Sequence, residues 1–420
     1  MKKSLQVFLY QMPVGRLIQN DNGLLSFCYL PTYLADSQAI PLSVSLPLRR
    51  EEFNFRECSG FFSGLLPEES NRQLIARNLG ISANNDFSLL AEIGGECAGA
   101  VSFLARDQLQ SNTLPSYRRL SGEDLVSVIL QLPARPMLAG EKNVRLSLAG
   151  AQTKLAVWAE GKDISVPLSD APSSHILKPE SPHFEGLVHN EGFCMMLAAA
   201  CGLQVAKVEI RQAGGLDFLL IERYDRRIVF DANSGFVVPS VMRLHQEDFC
   251  QALGIRSDFK YEKEGGPSFK QCFELINRNS QIPMTDRQRM LDAMIFNFLI
   301  GNCDAHGKNF SFLFEQKGEG FQIRLAPLYD LVCTSCYPTL DQNLAMSIGG
   351  KFVLSKIKPE HFELMAKEVA ISVPLMKKRF TELTGMVLET IPSIAAGHPM
   401  AEKTADWIKS HCHSVWPWFQ

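Results

Sequence analysis

The sequence predicts an α+β fold in two lobes, with an α/β subdomain at the N-terminus and a mostly α-helical lobe at the C-terminus. Three observations predict it. Short apolar runs separated by turn residues dominate the first half, which is the pattern of strands. From about Leu244 onward, apolar residues recur at helical intervals. Within that second half, a polar, acid-bearing loop follows an apolar helix and precedes a hairpin pattern.

In chain order, residues 5–9 and 17–29 read as strands, with Asp21-Asn22-Gly23 as a hairpin turn. Residues 41–48 and 99–104 read as further strands, and together these make a small domain over residues 1–105. Residues 107–116 are polar and loop-like, after which Ser121 caps a helix that stops near Pro133 and Pro136. Strands at 155–158, 173–178 and 216–221, with a helix opening at Glu191, fill a second domain over residues 106–240. Residues 241–420 form the helical lobe, with helices at 285–299, 359–369, 374–388 and 401–411. In the first of these, Thr285 and Gln288 have capping-box spacing. Met290, Leu291, Met294, Ile295, Phe298 and Leu299 repeat at helical intervals, and Gly301 ends it.

That helix leads into Asp304-Ala305-His306-Gly307-Lys308-Asn309, and a second acid follows in Leu328-Tyr329-Asp330. Residues 310–314 and 321–325 read as the hairpin between them. An Asp followed five positions on by an Asn is the spacing of a protein-kinase catalytic loop. There the Asp orients the substrate hydroxyl and accepts its proton, while the Asn and the later Asp hold magnesium on ATP. A lone match of this length also fits a solvated turn, so other segments must support it. Lys178 ends the strand-like Ser173-Ser174-His175-Ile176-Leu177-Lys178, where kinases carry a phosphate-binding lysine paired with a helix glutamate. Glu191 is the candidate partner; alone, it also reads as an acid favoured by a helix N-terminus. Ser147-Leu148-Ala149-Gly150-Ala151-Gln152-Thr153-Lys154 has small residues that let backbone N–H groups approach a polyphosphate. It matches neither glycine-rich nor Walker spacing, and by itself reads better as a hairpin turn. Glu222 to Tyr224 follow an apolar strand, where a kinase hinge meets adenine.

Together these segments resemble the HipA-type serine/threonine kinases, the toxin half of bacterial HipBA toxin–antitoxin pairs. The matching residues are Ser147 to Lys154, His175-Ile176-Leu177-Lys178, Glu222-Arg223-Tyr224-Asp225-Arg226, Gln246-Glu247-Asp248-Phe249-Cys250-Gln251, Asp304 to Ser311, and Pro327-Leu328-Tyr329-Asp330. Leu65-Leu66-Pro67, Glu92-Ile93-Gly94-Gly95 and Gly99-Ala100-Val101 match as well, and all run in family order. The resemblance implies a protein-kinase-like fold with ATP and Mg2+ as cofactors. Asp304 is then the catalytic base, and Asn309 and Asp330 are the magnesium ligands. Lys178 contacts ATP phosphates. Ala149, Gly150, Ala151, Gln152, Thr153 and Lys154 form the phosphate loop, and Glu222, Arg223 and Tyr224 the hinge. His306, Gly307, Lys308, Asn309, Tyr329 and Asp330 line the nucleotide site. Ser147 matches the serine that family members autophosphorylate to switch themselves off. A phosphate there would repel the nucleotide and draw the loop toward basic side chains such as Arg145.

The implied protein substrate is an aminoacyl-tRNA synthetase, above all glutamyl-tRNA synthetase. The implied partner is a small HipB-like helix-turn-helix antitoxin, through which operator DNA is mainly contacted. Two other readings stay open. A kinase-fold small-molecule phosphotransferase uses the same catalytic residues, although the Ser147 loop and the N-terminal domain favour HipA. A catalytically silent corepressor acting with its antitoxin would not need Asp304, Asn309, Asp330 and Lys178 intact.

Composition agrees with a globular enzyme. At 420 residues the chain suits two or three domains, and its 46% hydrophobic content is that of a soluble protein. A net charge of −3 gives no whole-chain reason to bind nucleic acid. Arg118-Arg119 and Lys377-Lys378-Arg379 read as solvated faces. Gln6 and Gln11 break the first apolar stretch, so no signal peptide is expected, and no apolar run is long enough for a bilayer. The expected location is the cytoplasm, with no membrane partner. The 11 cysteines read as free thiols in a reducing compartment. Cys333-Thr334-Ser335-Cys336 is a C-x-x-C, but no second one exists, and His411-Cys412-His413 sits on a tail expected to be loose. A zinc site is therefore not expected.

Overall fold

A computed structural model describes residues 3–105, 115–229, 240–317, 320–394 and 397–420. The chain forms two compact units, each assembled from three separate stretches. Unit 1 comprises Met1–Pro179, Arg211–Ser257 and Leu313–Gln322; unit 2 comprises Glu180–Ile210, Asp258–Phe312 and Ile323–Gln420.

Unit 1 opens with an antiparallel four-stranded sheet in the order Leu25–Tyr29, Met12–Gln19, Lys3–Leu9, Val101–Ala105. The turn between the first two strands in sequence is Tyr10 and Gln11, at φ 50° and 70°. A two-residue hairpin needs such left-handed backbone to match the strand twist. Alternate residues Leu5, Val7 and Leu9 face the core. The helices Phe55–Gly64 and Asp86–Ile93 pack on the sheet. Phe27, Phe53, Phe61, Phe62 and Phe103 are fully buried between them, each worth about 2–3 kcal/mol of transfer free energy. The Phe55–Gly64 helix starts at a capping box of Asn54 and Glu57.

Residues 41–48, expected as a strand, are not one. Ser43 and Leu46 make a single bridge, and neighbouring backbone groups bond to side chains instead. Leu42 N–H donates to the Tyr29 hydroxyl, which donates to Leu46 O; Val44 N–H donates to Glu247. Pro41 and Pro47 lack the N–H a ladder needs.

The second sheet of unit 1 has the order Ser116–Leu120, Asp163–Leu168, Leu155–Glu160, His175–Pro179, Leu216–Glu222, Val208–Ala213, the last strand carrying the chain between the units. Most of the loop expected at 107–116 lies outside the described residues, and Ser116 already begins a strand. Ser121 caps the helix Gly122–Gln131, with Asp124 completing the box.

Unit 2 is built on the helices Leu187–Ala200, Phe269–Asn279, Pro283–Leu299, Pro359–Glu368, Val373–Ile394 and Pro399–Val415. The expected apolar face of the third is buried at Met290, Leu291, Met294, Ile295, Phe298 and Leu299. The Thr285–Gln288 capping box does not form. The helix starts two residues earlier, at Pro283, whose fixed φ and missing N–H suit a first turn. The C-terminal tail is packed rather than loose: Trp418 stacks on Phe380 at 5.7 Å, and Trp407 stacks on His411 at 5.0 Å. Among the described residues, no helix is long and apolar enough to cross a membrane.

Candidate active site

In unit 2 the Pro283–Leu299 helix ends at Gly301, where φ is +66° and an added Cβ would strike Trp407. A relay of amides then carries its position into the loop. Asn297 Nδ2 donates to Ala293 O at 2.8 Å, and Asn302 Nδ2 donates to Asn297 Oδ1 at 2.8 Å. Asn302 Oδ1 accepts the N–H of Asp304 at 3.1 Å. From the other side, Thr334 Oγ1 accepts Cys303 N–H at 2.7 Å, and the Thr334 and Ser335 hydroxyls donate to Gly301 O. The stretch after Asp330 thus props the loop that carries Asp304.

Asp304 itself is exposed, and its Oδ1 accepts the Tyr261 hydroxyl at 2.9 Å. His306, Gly307, Lys308 and Asn309 turn inward and are buried. The Asp304 carbonyl accepts His306 N–H at 2.8 Å and Asn309 Nδ2 at 3.2 Å. That second bond turns Asn309 Oδ1 to the opposite side of its amide. The Tyr329 hydroxyl donates to Lys308 O at 2.6 Å and bonds Ser311 Oγ at 2.7 Å. It ties the residue before Asp330 to the residue before Asn309. Asp330 sits at φ +59°, a left-handed backbone that Asp tolerates better than most side chains. Leu328 is fixed beside Val205 by a parallel bridge. The end of the hairpin is held by buried Asp286, which accepts Leu325 N–H at 2.8 Å, and by Arg289, which donates to Leu325 O and Ala326 O.

Glu191 does not open its helix; it is the fifth residue of Leu187–Ala200 and is buried. Its neighbour Asn190 clamps Cys333, donating to Cys333 O at 3.0 Å and accepting Cys333 N–H at 2.8 Å.

In unit 1, Lys178 is buried on the His175–Pro179 strand, paired across with Leu219. Residues 147–154 are not a hairpin turn. Leu146 bridges Glu96 and Gly150 bridges Pro67, both in parallel, so the segment's partners are distant in sequence. Ser147 is wholly buried, donating its N–H to Glu96 O at 2.9 Å and its hydroxyl to Leu65 O at 2.8 Å. Lys154 Nζ donates back to Ala149 O at 2.7 Å. Gly150 has φ +105°, and a Cβ there would lie 2.6 Å from Lys154 Nζ, so the curl of the loop requires glycine. Arg145 is already engaged, with Asp170 at 3.1 Å and the carbonyls of Ala91 and Phe103.

Glu222 ends its strand, exposed, and the Tyr224 hydroxyl donates to Gln246. Arg223 is different. Its guanidinium is buried against Glu96 at 3.1 Å and Asp225 at 2.6 Å, and its N–H donates to Ser174 O. Arg226 and Arg243 also reach Glu96, at 2.9 and 2.5 Å. Burial alone would raise the Glu96 pKa; the guanidiniums of Arg226, Arg243 and Arg223 instead hold it at about 2. This network fixes the 222–226 segment to the stretch that also holds Ser147. Sequence reasoning missed it, along with Tyr261, Thr334, Asn190 and Asp286. Asn297, a polar side chain within an apolar helix, was the one visible sign.

The residues present fit a magnesium nucleotide. Asn309 and Asp330 offer oxygen donors, the kind magnesium takes, and residues 149–154 are a loop of small residues whose curl depends on Gly150, the kind of backbone that admits a phosphate.

The HipA-like C-terminal domain family matches residues 146–393, and the HipA N-terminal domain family matches residues 5–104. The Sinorhizobium fredii protein Y4mE is 45% identical over 385 residues, 91% of this chain and 89% of that protein. The Shewanella oneidensis serine/threonine-protein kinase toxin HipA is 35% identical over 360 residues, 83% of this chain and 79% of that protein. A chain of the solved Shewanella oneidensis complex of HipA, HipB and operator DNA superposes with a TM-score of 0.82 at 28% identity, covering 98% of this chain and 96% of that one. The fold class is therefore the α+β, kinase-like fold of HipA. With one family matched over more than half its length and relatives aligned along most of theirs, the chain belongs to the HipA family of serine/threonine kinases.

Proposed function

We propose that this kinase is ATP- and magnesium-dependent, that it is the toxin of a HipBA-type pair, and that it inactivates itself at Ser147. The observation that carries the reading is Asp304, an exposed carboxylate on a loop tied into the fold at Asn302, Cys303, Lys308 and Asn309. Phosphoryl transfer needs positioning and charge stabilisation rather than covalent catalysis. Asp304 orients the substrate hydroxyl and takes its proton. Asn309 Oδ1 and the Asp330 carboxylate hold magnesium. Lys178 and the amides of residues 149–154 hold the phosphates. Residues 222–224 face adenine, with Arg223 acting through its network, and His306, Gly307, Lys308 and Tyr329 line the nucleotide site.

The family resemblance supports an aminoacyl-tRNA synthetase as substrate, glutamyl-tRNA synthetase first, and the cytoplasm as the place of action. The Shewanella oneidensis relative was solved with HipB and operator DNA, which supports a small helix-turn-helix antitoxin as partner and DNA contact through it. The test is direct. Purified chain with Mg-ATP should phosphorylate glutamyl-tRNA synthetase, and an Asp304→Gln variant should not. A chain that binds Mg-ATP yet labels neither the synthetase nor itself overturns the reading. Labelling of itself alone overturns only the choice of substrate.

A further inference from the structure

Two consecutive carbonyls of the 149–154 loop point into the same part of unit 1. Gly150 O accepts Glu68 N–H at 3.3 Å, next to the parallel bridge between Gly150 and Pro67. Ala151 O accepts Asn71 Nδ2 at 2.7 Å. A trans peptide is planar, with its C=O and N–H on opposite sides, and no cis bond is present among the described residues. The two bonds therefore turn the N–H groups of Ala151 and Gln152 the other way, away from residues 67–71. Among the described residues, neither N–H donates a hydrogen bond. Successive N–H groups facing one open side make an anion-binding concavity.

The hold on Gly150 comes from backbone and survives any side-chain change. The hold on Ala151 comes from one side chain. Asn71 lies on the helix Glu69–Leu79 and is only 4% exposed. Among the described residues, no other group donates to Ala151 O. Without Asn71 the Ala151–Gln152 peptide is free to rotate, and the Gln152 N–H leaves the concavity.

We propose that Asn71 is a positioning residue for phosphate binding: it holds the Ala151–Gln152 peptide so that its N–H faces the nucleotide phosphates. The proposal rests on the nucleotide reading given above. Asn71 does not touch the ligand, so its loss should weaken only ligands that carry phosphates.

Calorimetry with Mg-AMP-PNP and with adenosine separates the possibilities. The wild type should bind both. Asn71→Leu, which removes the donor, and Asn71→Asp, which keeps the shape but sets a carboxylate against the Ala151 carbonyl, should bind adenosine as the wild type does. Both should bind Mg-AMP-PNP about tenfold more weakly, the scale of one lost hydrogen bond. Unchanged Mg-AMP-PNP affinity overturns the proposal, and so does an equal loss for both ligands, which marks a merely structural role. A wild type that binds no Mg-AMP-PNP removes the nucleotide reading and this proposal with it. Should neither variant fold, hydrogen exchange on the wild type decides. Protection of the Ala151 and Gln152 amides by Mg-AMP-PNP, and not by adenosine, is expected; its absence overturns the proposal.

Discussion

Ser147 donates its hydroxyl to the carbonyl of Leu65 at 2.8 Å, in a place with no exposed surface. A serine held this way cannot receive a phosphate until residues 146–151 leave their partners. Once there, a phosphate carrying about −1.5 to −2 charges cannot return, because burying it unpaired is prohibitive. Arg145 is no ready counter-charge, being bound to Asp170 and two carbonyls. Self-modification should therefore be slow, and amide exchange across 146–151 should rise after it. Ser147→Ala should stay active and lose about 1 kcal/mol of stability, as Leu65 O loses its donor. Mass spectrometry after incubation with Mg-ATP checks this; an active enzyme that never modifies Ser147 ends the switch.

Asp304→Gln should lower phosphoryl transfer by about a thousandfold or more, the scale of a lost general base and its charge. Its carboxylate is exposed and accepts the hydroxyl of Tyr261, so the fold should hold. Kinase rates compared with thermal unfolding test both halves of the statement.

Asp330 needs a replacement chosen for its backbone. At φ +59°, Ala would add roughly 1–2 kcal/mol of strain, whereas Asn tolerates the left-handed region. Asp330→Asn should weaken nucleotide binding with magnesium about tenfold or more and leave magnesium-free binding nearly unchanged. Calorimetry in both conditions reads the difference; equal losses would make Asp330 structural.

Glu96→Gln should destabilise unit 1 by about 3 kcal/mol, because buried Arg223 and Arg226 keep their charge with only Asp225 against them, and half-buried Arg243 loses Glu96. The native pKa of Glu96, about 2, lies below its ordinary 4.5. Its contribution is thus complete above pH 4.5 and disappears as pH falls toward 2. Acid unfolding of the variant should be flatter through that window.

Glu247 predicts the opposite slope. Burial raises its pKa to about 8, against the donors Ser43 and Val44, which lower it. The folded state holds the proton, so stability is greatest below pH 4.5 and falls as pH rises through 8. Nearby His245 is lowered to about 4 by burial and acts only below its ordinary 6.5, so the interval from pH 6.5 to 8 isolates Glu247. Stability there should drop by up to about 1.4 kcal/mol per pH unit, and Glu247→Gln should remove the slope. Denaturant midpoints across the interval decide it.

What the sequence made legible was local. The apolar spacing from Met290 to Leu299 lies within one helix, whose expected face is buried, and Asp304 and Asn309 share one short loop closed by a hydrogen bond between them. The strand-like run at 41–48 misled, because Tyr29 and Glu247 take the backbone groups a neighbouring strand would have used. Thr285 misled because Pro283 starts the helix first. The supports of the site were invisible for another reason. Tyr261 meets Asp304 across 43 positions, Asn71 meets Ala151 across 80, and Arg226 meets Glu96 across 130. Pairings at such range leave no periodic trace in one chain.

The threading of the chain has a consequence for its synthesis. Unit 1 takes its last segment, Leu313–Gln322, from beyond the residues that carry Asp304 and Asn309. A ribosome has therefore passed Asp304 and Asn309 before it has supplied all of the unit that contains residues 149–154. A chain stopped before residue 313 carries Asp304 with unit 1 still incomplete, and no single cut releases either unit whole. Dissecting this protein calls for point substitutions rather than truncations.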